Sequence, residues 1–482
     1  MVLHGRRSSE SRLAKIEKMK KRTFLILLTL ITAFGLFLRL INYDKVPPPD
    51  EAFDEVHYAW GGATWFREGA PRSWSNFDSY TNVEHLERYG IRWRVVSPLI
   101  EKPPLYFLLS GITVIASGIK DVFSVSHSVI RILPIVLSVF TIFLTGIFAS
   151  KIFGNQVGLL SAIIYVTVPT VVLANRMSLT ENLITPLALL AFVIIAYLKN
   201  KFSQTALLLL GIISTLSFLT KQIGVSVSAS IILIFLKLKI TKNVFVVGLF
   251  GFLGIAIYFL IGAYYDWDLF LSLQKDVRIG HTLSGLPEMV SAIFRFPGIG
   301  PKNHPFLDGA ILAGYILLFS SPLWILKEEK ENFLKNLFLI FPFIYLLLLV
   351  TGQSGGGPFT FFGWYLYPLF PFLAIVLAKF LWNFYKKPQL LSLILLNIVI
   401  GSSIIRFIFI TVPRQYQYLW QYAFIMFFLL SLGVLHRQRR VQQFFLIGIF
   451  AIFILVNVYT VFKMQEIYEY SIKGLDFSLF AK

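Results

Sequence analysis

Fourteen apolar stretches, separated by short polar segments, divide the chain between residues 23 and 462. Crossing ~30 Å of hydrocarbon takes about 20 apolar residues in a helix, so the pattern predicts an all-α integral membrane protein. The stretch at 104–119 stands apart, because it is short and opens on Lys102-Pro103-Pro104.

Charge decides whether that stretch crosses. If it does not, the clusters at Lys151, Lys199/Lys201, Lys237/Lys239/Lys242, Lys327/Lys330/Lys335, Lys379/Lys386/Lys387 and Arg437/Arg439/Arg440 share one side with the basic N-terminus. If it does, every cluster changes sides. The positive-inside tendency of membrane proteins therefore predicts about thirteen spans, with the N-terminus cytoplasmic and the C-terminus outside. The 104–119 stretch is then a juxtamembrane or re-entrant helix on the extracytoplasmic face.

The expected divisions are a basic cytoplasmic tail (1–22), a module at 23–263 with a first outer loop at 42–128, a long outer loop at 264–306, and C-terminal spans at 307–482. An uncleaved first span follows the basic tail, since its apolar run is too long for a signal peptide.

Of 482 residues, 56% are hydrophobic and 14% charged, which places the chain outside the soluble range. The net charge of +19 sits in clusters between apolar segments, where topology wants it, and argues against nucleic acid as a partner. With no cysteine there is no thiolate chemistry and no Cys-type metal site.

The acidic residues are distributed unevenly. Ten of the 25 lie between Asn42 and Pro103. Pro47 to Pro49 are expected to stop the first helix, and Asp50 to cap a second one running to Glu68. On that helix Phe53, Val56, Trp60 and Ala63 share an apolar stripe, with Asp54 and Tyr58 opposite at i, i+4 spacing. This predicts an interfacial helix on the outer leaflet, its acids either solvated or used in chemistry.

Three further groups share the outer face. Glu101 and Lys102 precede a proline-started helix. The segment Asn175 to Glu181 carries Arg176 and a Ser178/Glu181 pair at capping-box spacing. Lys221 interrupts an apolar run, either snorkelling to the interface or holding an anion. In the long loop lie Arg278, His281, Arg295, Lys302 and His304, while Gly355-Gly356-Gly357 lacks the lysine of a phosphate loop.

In their order and shared face, several segments resemble a known family. They are Asp54-Glu55-Val56-His57-Tyr58-Ala59, Glu101-Lys102-Pro103-Pro104-Leu105-Tyr106, Arg176 to Glu181, Thr220-Lys221 and Tyr365-Leu366-Tyr367-Pro368-Leu369-Phe370-Pro371. The resemblance is to the GT-C fold glycosyltransferases that use polyprenyl-phosphate sugars, the protein O-mannosyltransferase and lipid A aminoarabinose transferase group. It covers roughly the first 240 residues, plus a span near 365.

The resemblance implies a GT-C-like bundle that moves a sugar from a polyprenyl-phosphate donor to a protein, lipid or glycan hydroxyl with inversion. It implies Asp54 as catalytic carboxylate with Glu55 beside it, and Glu181 as a second acid. Lys102, Lys221 and Arg176 would meet the donor phosphate, and His57, Tyr58 and Tyr365 the substrate. It leaves a divalent metal open, with Glu101 and His281 as its ligands.

Trp364 stands where relatives often carry arginine. The tandem Asp50-Glu51 and Asp54-Glu55 leaves two registers for the catalytic pair. Two other classes compete: a transporter or flippase of lipid-linked sugars, which would bury charges mid-span, and a membrane polymer ligase.

Overall fold

The computed structural model of the chain describes residues 19–48, 51–88, 90–198, 202–280, 308–328, 333–352, 363–416, 418–466 and 468. Helices dominate. The first, α1 (Lys21–Leu40), holds no acidic residue in its first turn and turns Phe24, Leu28, Gly35 and Leu38 inward. Its opposite side exposes Ile26, Leu30 and Phe37, as a surface facing hydrocarbon would.

Six helices among the described residues are long and apolar enough to cross a membrane: Lys21–Leu40, His127–Phe153, Glu181–Leu198, Thr241–Tyr265, Gly363–Lys386 and Arg439–Phe462. Eight shorter apolar helices accompany them.

The first outer loop is a small folded unit. After α1 ends at Leu40, well before the prolines, the chain turns and enters α2 (Asp54–Glu68). Asp50 lies outside the described residues, and the residue before the helix is Phe53, which makes no side-chain cap.

The helix is not spread on a leaflet. Glu55 to Thr64 are all buried, because a second helix and a sheet cover the apolar stripe. The sheet comprises β1 (Ser73–Trp74), β2 (Val83–Arg88) and β3 (Ile91–Val96), in the antiparallel order β1-β3-β2. Leu86 pairs with Trp93 and Glu84 with Val95. Gly90, at φ 71°, makes the tight turn that other residues resist.

Trp93 and Val95 point inward from β3 and pack with Val56, Trp60 and Ala63. The Trp60 and Trp93 rings meet edge to face at 5.3 Å.

The helix at 104–119 is α3 (Leu105–Ala116), whose 12 residues extend about 18 Å and fall short of a membrane. It crosses α2 where two glycines meet: a Cβ on Gly62 would stand 1.8 Å from the Phe107 carbonyl oxygen, and one on Gly111 2.3 Å from Gly62. No other residue type permits so close a crossing.

Below this unit run α4 (Ile132–Phe153), α5 (Asn155–Thr167), α6 (Pro169–Ala174), α7 (Glu181–Leu198), α8 (Gln204–Thr220), α9 (Val225–Lys237) and α10 (Thr241–Tyr265). The long-loop region begins with a further helix, α11 (Trp267–Gly280). Then follow α12 (Gly309–Glu328), α13 (Phe333–Gly352), α14 (Phe370–Lys386), α15 (Leu390–Thr411), α16 (Leu419–Ser431) and α17 (Arg439–Phe462).

The bundle core forms around α14, whose Phe372 meets Phe148, Phe192, Phe338 and Phe341. A buried polar centre ties the C-terminal helices to the rest. Asp308 accepts from Thr170 at 3.0 Å and Arg406 at 3.3 Å, and Arg406 also reaches Asn457 at 2.7 Å.

Candidate active site

Adjacent residues on a helix point about 100° apart, and α2 uses that to separate its two acids. Asp54 faces an open site. Its Oδ1 lies 3.5 Å from the Lys102 ammonium, and both side chains are about a quarter exposed (25% and 27%). The same ammonium lies 5.2 Å from the ring centre of Tyr58, one turn after Asp54.

A second ion pair closes the site from the bundle. Lys221 donates to Glu181 Oε1 at 2.5 Å and lies over the Tyr365 ring at 4.1 Å. Glu181 begins α7 and also accepts from the Thr180 hydroxyl at 2.9 Å. Lys221 sits just after α8 in extended conformation, and the turn that follows needs glycine: a Cβ on Gly224 would fall 1.8 Å from the Ser217 carbonyl oxygen. Tyr365 lies in the 3-10 segment Gly363–Leu369, its carbonyl held by the Tyr345 hydroxyl at 2.7 Å.

The pairs form one cluster. Burial works against the Asp54 charge, but the neighbouring cations, Lys102 foremost and Lys221 among them, outweigh it and hold the carboxyl below its usual range. Asp54 is therefore a carboxylate at neutral pH.

Glu101 differs. Burial pushes it up to about 7, against Lys102 and the Ser75 hydroxyl, which donates to Oε2 at 2.5 Å. His57 is depressed to about 3 by burial and by Lys102, so its ring is neutral. Nδ1 lies 2.9 Å from the Trp74 carbonyl and donates to it, leaving the Nε2 lone pair facing Glu101 Oε1 at 3.8 Å.

Glu55 turns the other way. It is fully buried, and Arg131 clamps it with Nε at 3.0 Å and Nη2 at 2.6 Å, while the Ser178 N–H donates to Oε1 at 2.8 Å. Arg131 also donates to the carbonyls of Tyr43 and Pro47. Both carboxylate oxygens are engaged, so Glu55 locks the loop and does not face Lys102 or Lys221.

Arg176 is likewise committed to structure: it is 1% exposed and donates to the carbonyls of Leu38, Arg39 and Val46. Arg39 in turn reaches Asn175 at 2.7 Å. Ser178 does not use its hydroxyl as a helix cap but shares it with the Tyr106 hydroxyl at 3.2 Å.

Of the two expected metal ligands, Glu101 stands in the site, and His281 lies outside the described residues together with Arg295, Lys302 and His304. His57 Nε2 beside Glu101 offers a nitrogen and an oxygen donor. Among the described residues no group of three or more His, Asp or Glu side chains is placed to hold an ion, against the three protein ligands usual at a catalytic zinc.

Sequence reasoning gave Thr180 no role of its own and missed Arg131, Ser75 and Asp276, whose carboxylate accepts the Ser79 N–H at 3.3 Å. One signal was available. On the topology expected from the sequence, Arg39, Arg131 and Arg176 fall on the side where cations are sparse, and all three prove to be buried staples.

The family model of dolichyl-phosphate-mannose-protein mannosyltransferases matches residues 102–263. No curated protein matches the chain. Among solved structures, ArnT from Cupriavidus metallidurans in the apo state aligns over 93% of this chain and 77% of its own, with TM-score 0.53 at 13% identity. ArnT bound to undecaprenyl phosphate gives 0.54 at 13% identity over 94% and 78%.

The Archaeoglobus fulgidus oligosaccharyltransferase tethered with an acceptor peptide aligns over 93% of this chain at 13% identity, with TM-score 0.52. This chain spans 56% of that protein's length. The fold is that of the GT-C membrane glycosyltransferases.

Proposed function

We propose that this chain transfers a sugar from a polyprenyl-phosphate donor to an acceptor hydroxyl, with inversion at the anomeric carbon, on the extracytoplasmic side of the membrane. The observation that carries this reading is an ionised, partly exposed Asp54 paired with the Lys102 ammonium, beside a second ammonium, Lys221, that is paired with Glu181, at one end of an apolar bundle.

Each part has a chemical use. Asp54 takes the acceptor's proton as its oxygen attacks C1, and the C1–O bond breaks with its electrons passing to the phosphate. A phosphate leaving group is already anionic and calls for cationic stabilisation rather than a strong acid, which suits the lysines. Glu181 fixes Lys221, Tyr58 and Tyr365 flank the lysines, and neutral His57 and Glu101 line the wall behind. ArnT carries undecaprenyl phosphate in one solved structure, in keeping with a lipid-linked donor here. If an ion binds, Glu101 and His57 Nε2 are the donors in reach, and it would add positive charge near the phosphate.

The extracytoplasmic side is favoured by charge. Helices with one end at the site or at the unit that holds it carry Lys or Arg at the other, as with Lys20 to Arg22 at the start of α1, Lys151 near the end of α4 and Lys386 at the end of α14. A flippase is disfavoured, since the site's charges cluster at helix ends.

Asp54→Asn, purified in detergent and supplied with a polyprenyl-phosphate sugar, is expected to lose about 10²- to 10⁴-fold in turnover, the usual contribution of a positioned base. Wild-type turnover in this variant removes Asp54 from the role.

A further inference from the structure

The two lysines of the site are both already paired, and the pairs are unequal. Lys221 and Glu181 are 2.5 Å apart, with Glu181 1% exposed and held a second time by the Thr180 hydroxyl. Lys102 and Asp54 are 3.5 Å apart and both about a quarter exposed, at 27% and 25%.

Two ammonium groups facing two carboxylates leave no net attraction for an incoming anion. A phosphate gains the full charge of a lysine where the carboxylate gives that lysine up, and the looser, wetter pair is the easier to open. We propose that the donor phosphate displaces Asp54 from Lys102 while Glu181 keeps Lys221, so that donor binding itself releases the base toward the acceptor.

This rests on the function proposed above and extends it by assigning the two carboxylates different duties. Glu181 is a positioning residue, a fixed counter-ion that aims Lys221. Asp54 is a counter-ion in the resting site and becomes the proton acceptor only after the phosphate has taken its lysine. The exchange imposes an order in which donor precedes acceptor. A side chain one helical turn on supports it: the Tyr58 ring lies beneath the Lys102 ammonium at 5.2 Å and remains a cation–π partner while the anionic partner changes.

The test is the affinity of the full chain, in nanodiscs, for undecaprenyl phosphate without sugar. Asp54→Asn is expected to bind it about fivefold more tightly than wild type, the effect of removing one partly exposed competing ion pair, even as turnover is lost. Lys102→Met is expected to bind more weakly, and adding Asp54→Asn to Lys102→Met to change nothing, because the gain runs through Lys102.

Wild-type binding with equal or weaker affinity in Asp54→Asn overturns the exchange and leaves the proposed function standing. An equal gain in both backgrounds also overturns it, because the effect is then one of general potential. Absence of lipid binding in wild type overturns the functional reading and the exchange with it. Thermal melting of each variant, matched to wild type, excludes loss of fold as the cause.

Discussion

Two regions meet within one turn of α2. On one side Asp54 joins Lys102 at 3.5 Å in a partly exposed cluster. On the other, Glu55 is sealed from solvent and held by Arg131 at 2.6 and 3.0 Å and by a main-chain N–H. Side-chain chemistry is nearly the same in both, and burial separates the roles. A carboxylate with both oxygens engaged and no access cannot receive a proton from a substrate. A carboxylate with one loose cation and some water can.

The largest expected effect in this comparison comes from the sealed side. Arg131→Ala leaves Glu55 buried and unpaired, which typically costs about 3–5 kcal/mol. It should lower the melting temperature in detergent steeply and reduce the folded yield, whereas Asp54→Asn should melt close to wild type. Similar melting curves for the two variants would erase the distinction.

Glu101 sharpens the comparison, as a carboxyl buried with only partial compensation. Its pKa is raised from an ordinary 4.5 to about 7, so the folded protein holds a proton there that the unfolded chain has released. Stability linked to this group is full below about 4.5 and declines as pH rises toward 7. His57, lowered to about 3 from an ordinary 6.5, works the opposite way over much of that range, so the measure is a difference: the melting temperature of wild type should fall relative to that of Glu101→Gln as pH rises from 4.5 to 7. Asp54 works in the opposite sense, since its depressed pKa adds stability that is present at neutral pH and is lost only as pH drops through that lower value.

The smallest effect tests which part of Ser178 belongs to the clamp. Its main-chain N–H meets Glu55, and its hydroxyl meets only Tyr106 in the described structure. Ser178→Ala should therefore cost about 1 kcal/mol, as loss of one buried hydrogen bond does, with turnover retained. A loss as large as that of Arg131→Ala would mean that the hydroxyl, not the backbone, holds the junction.

Much of the site was legible in the sequence because its residues break local expectation. Acids gathered beside a span, Lys102 before two prolines and Lys221 inside an apolar run each stand out against hydrophobic neighbours. Charge patterning, a property of the whole chain, set the helix at 104–119 apart from the expected spans, and its 12 residues are short for a crossing. The sheet at 73–96 was not legible, since its short alternating strands follow a helix pattern and sit among polar residues that read as loop. Nor was the burial of α2. An apolar stripe looks the same whether lipid or β3 covers it.

Hydrophobic periodicity and cation placement by themselves determined that this is a membrane bundle with its acids gathered at one end, because those signals are local and additive along the chain. The pairing of Lys221 with Glu181, the gap of 3.5 Å between Lys102 and Asp54, and the division of labour between Asp54 and Glu55 were decided only by the tertiary structure. Glu55 and Arg131 are 76 residues apart, and Lys221 and Glu181 40. No periodicity reports which charge will face which across such distances, because that follows from how the helices pack.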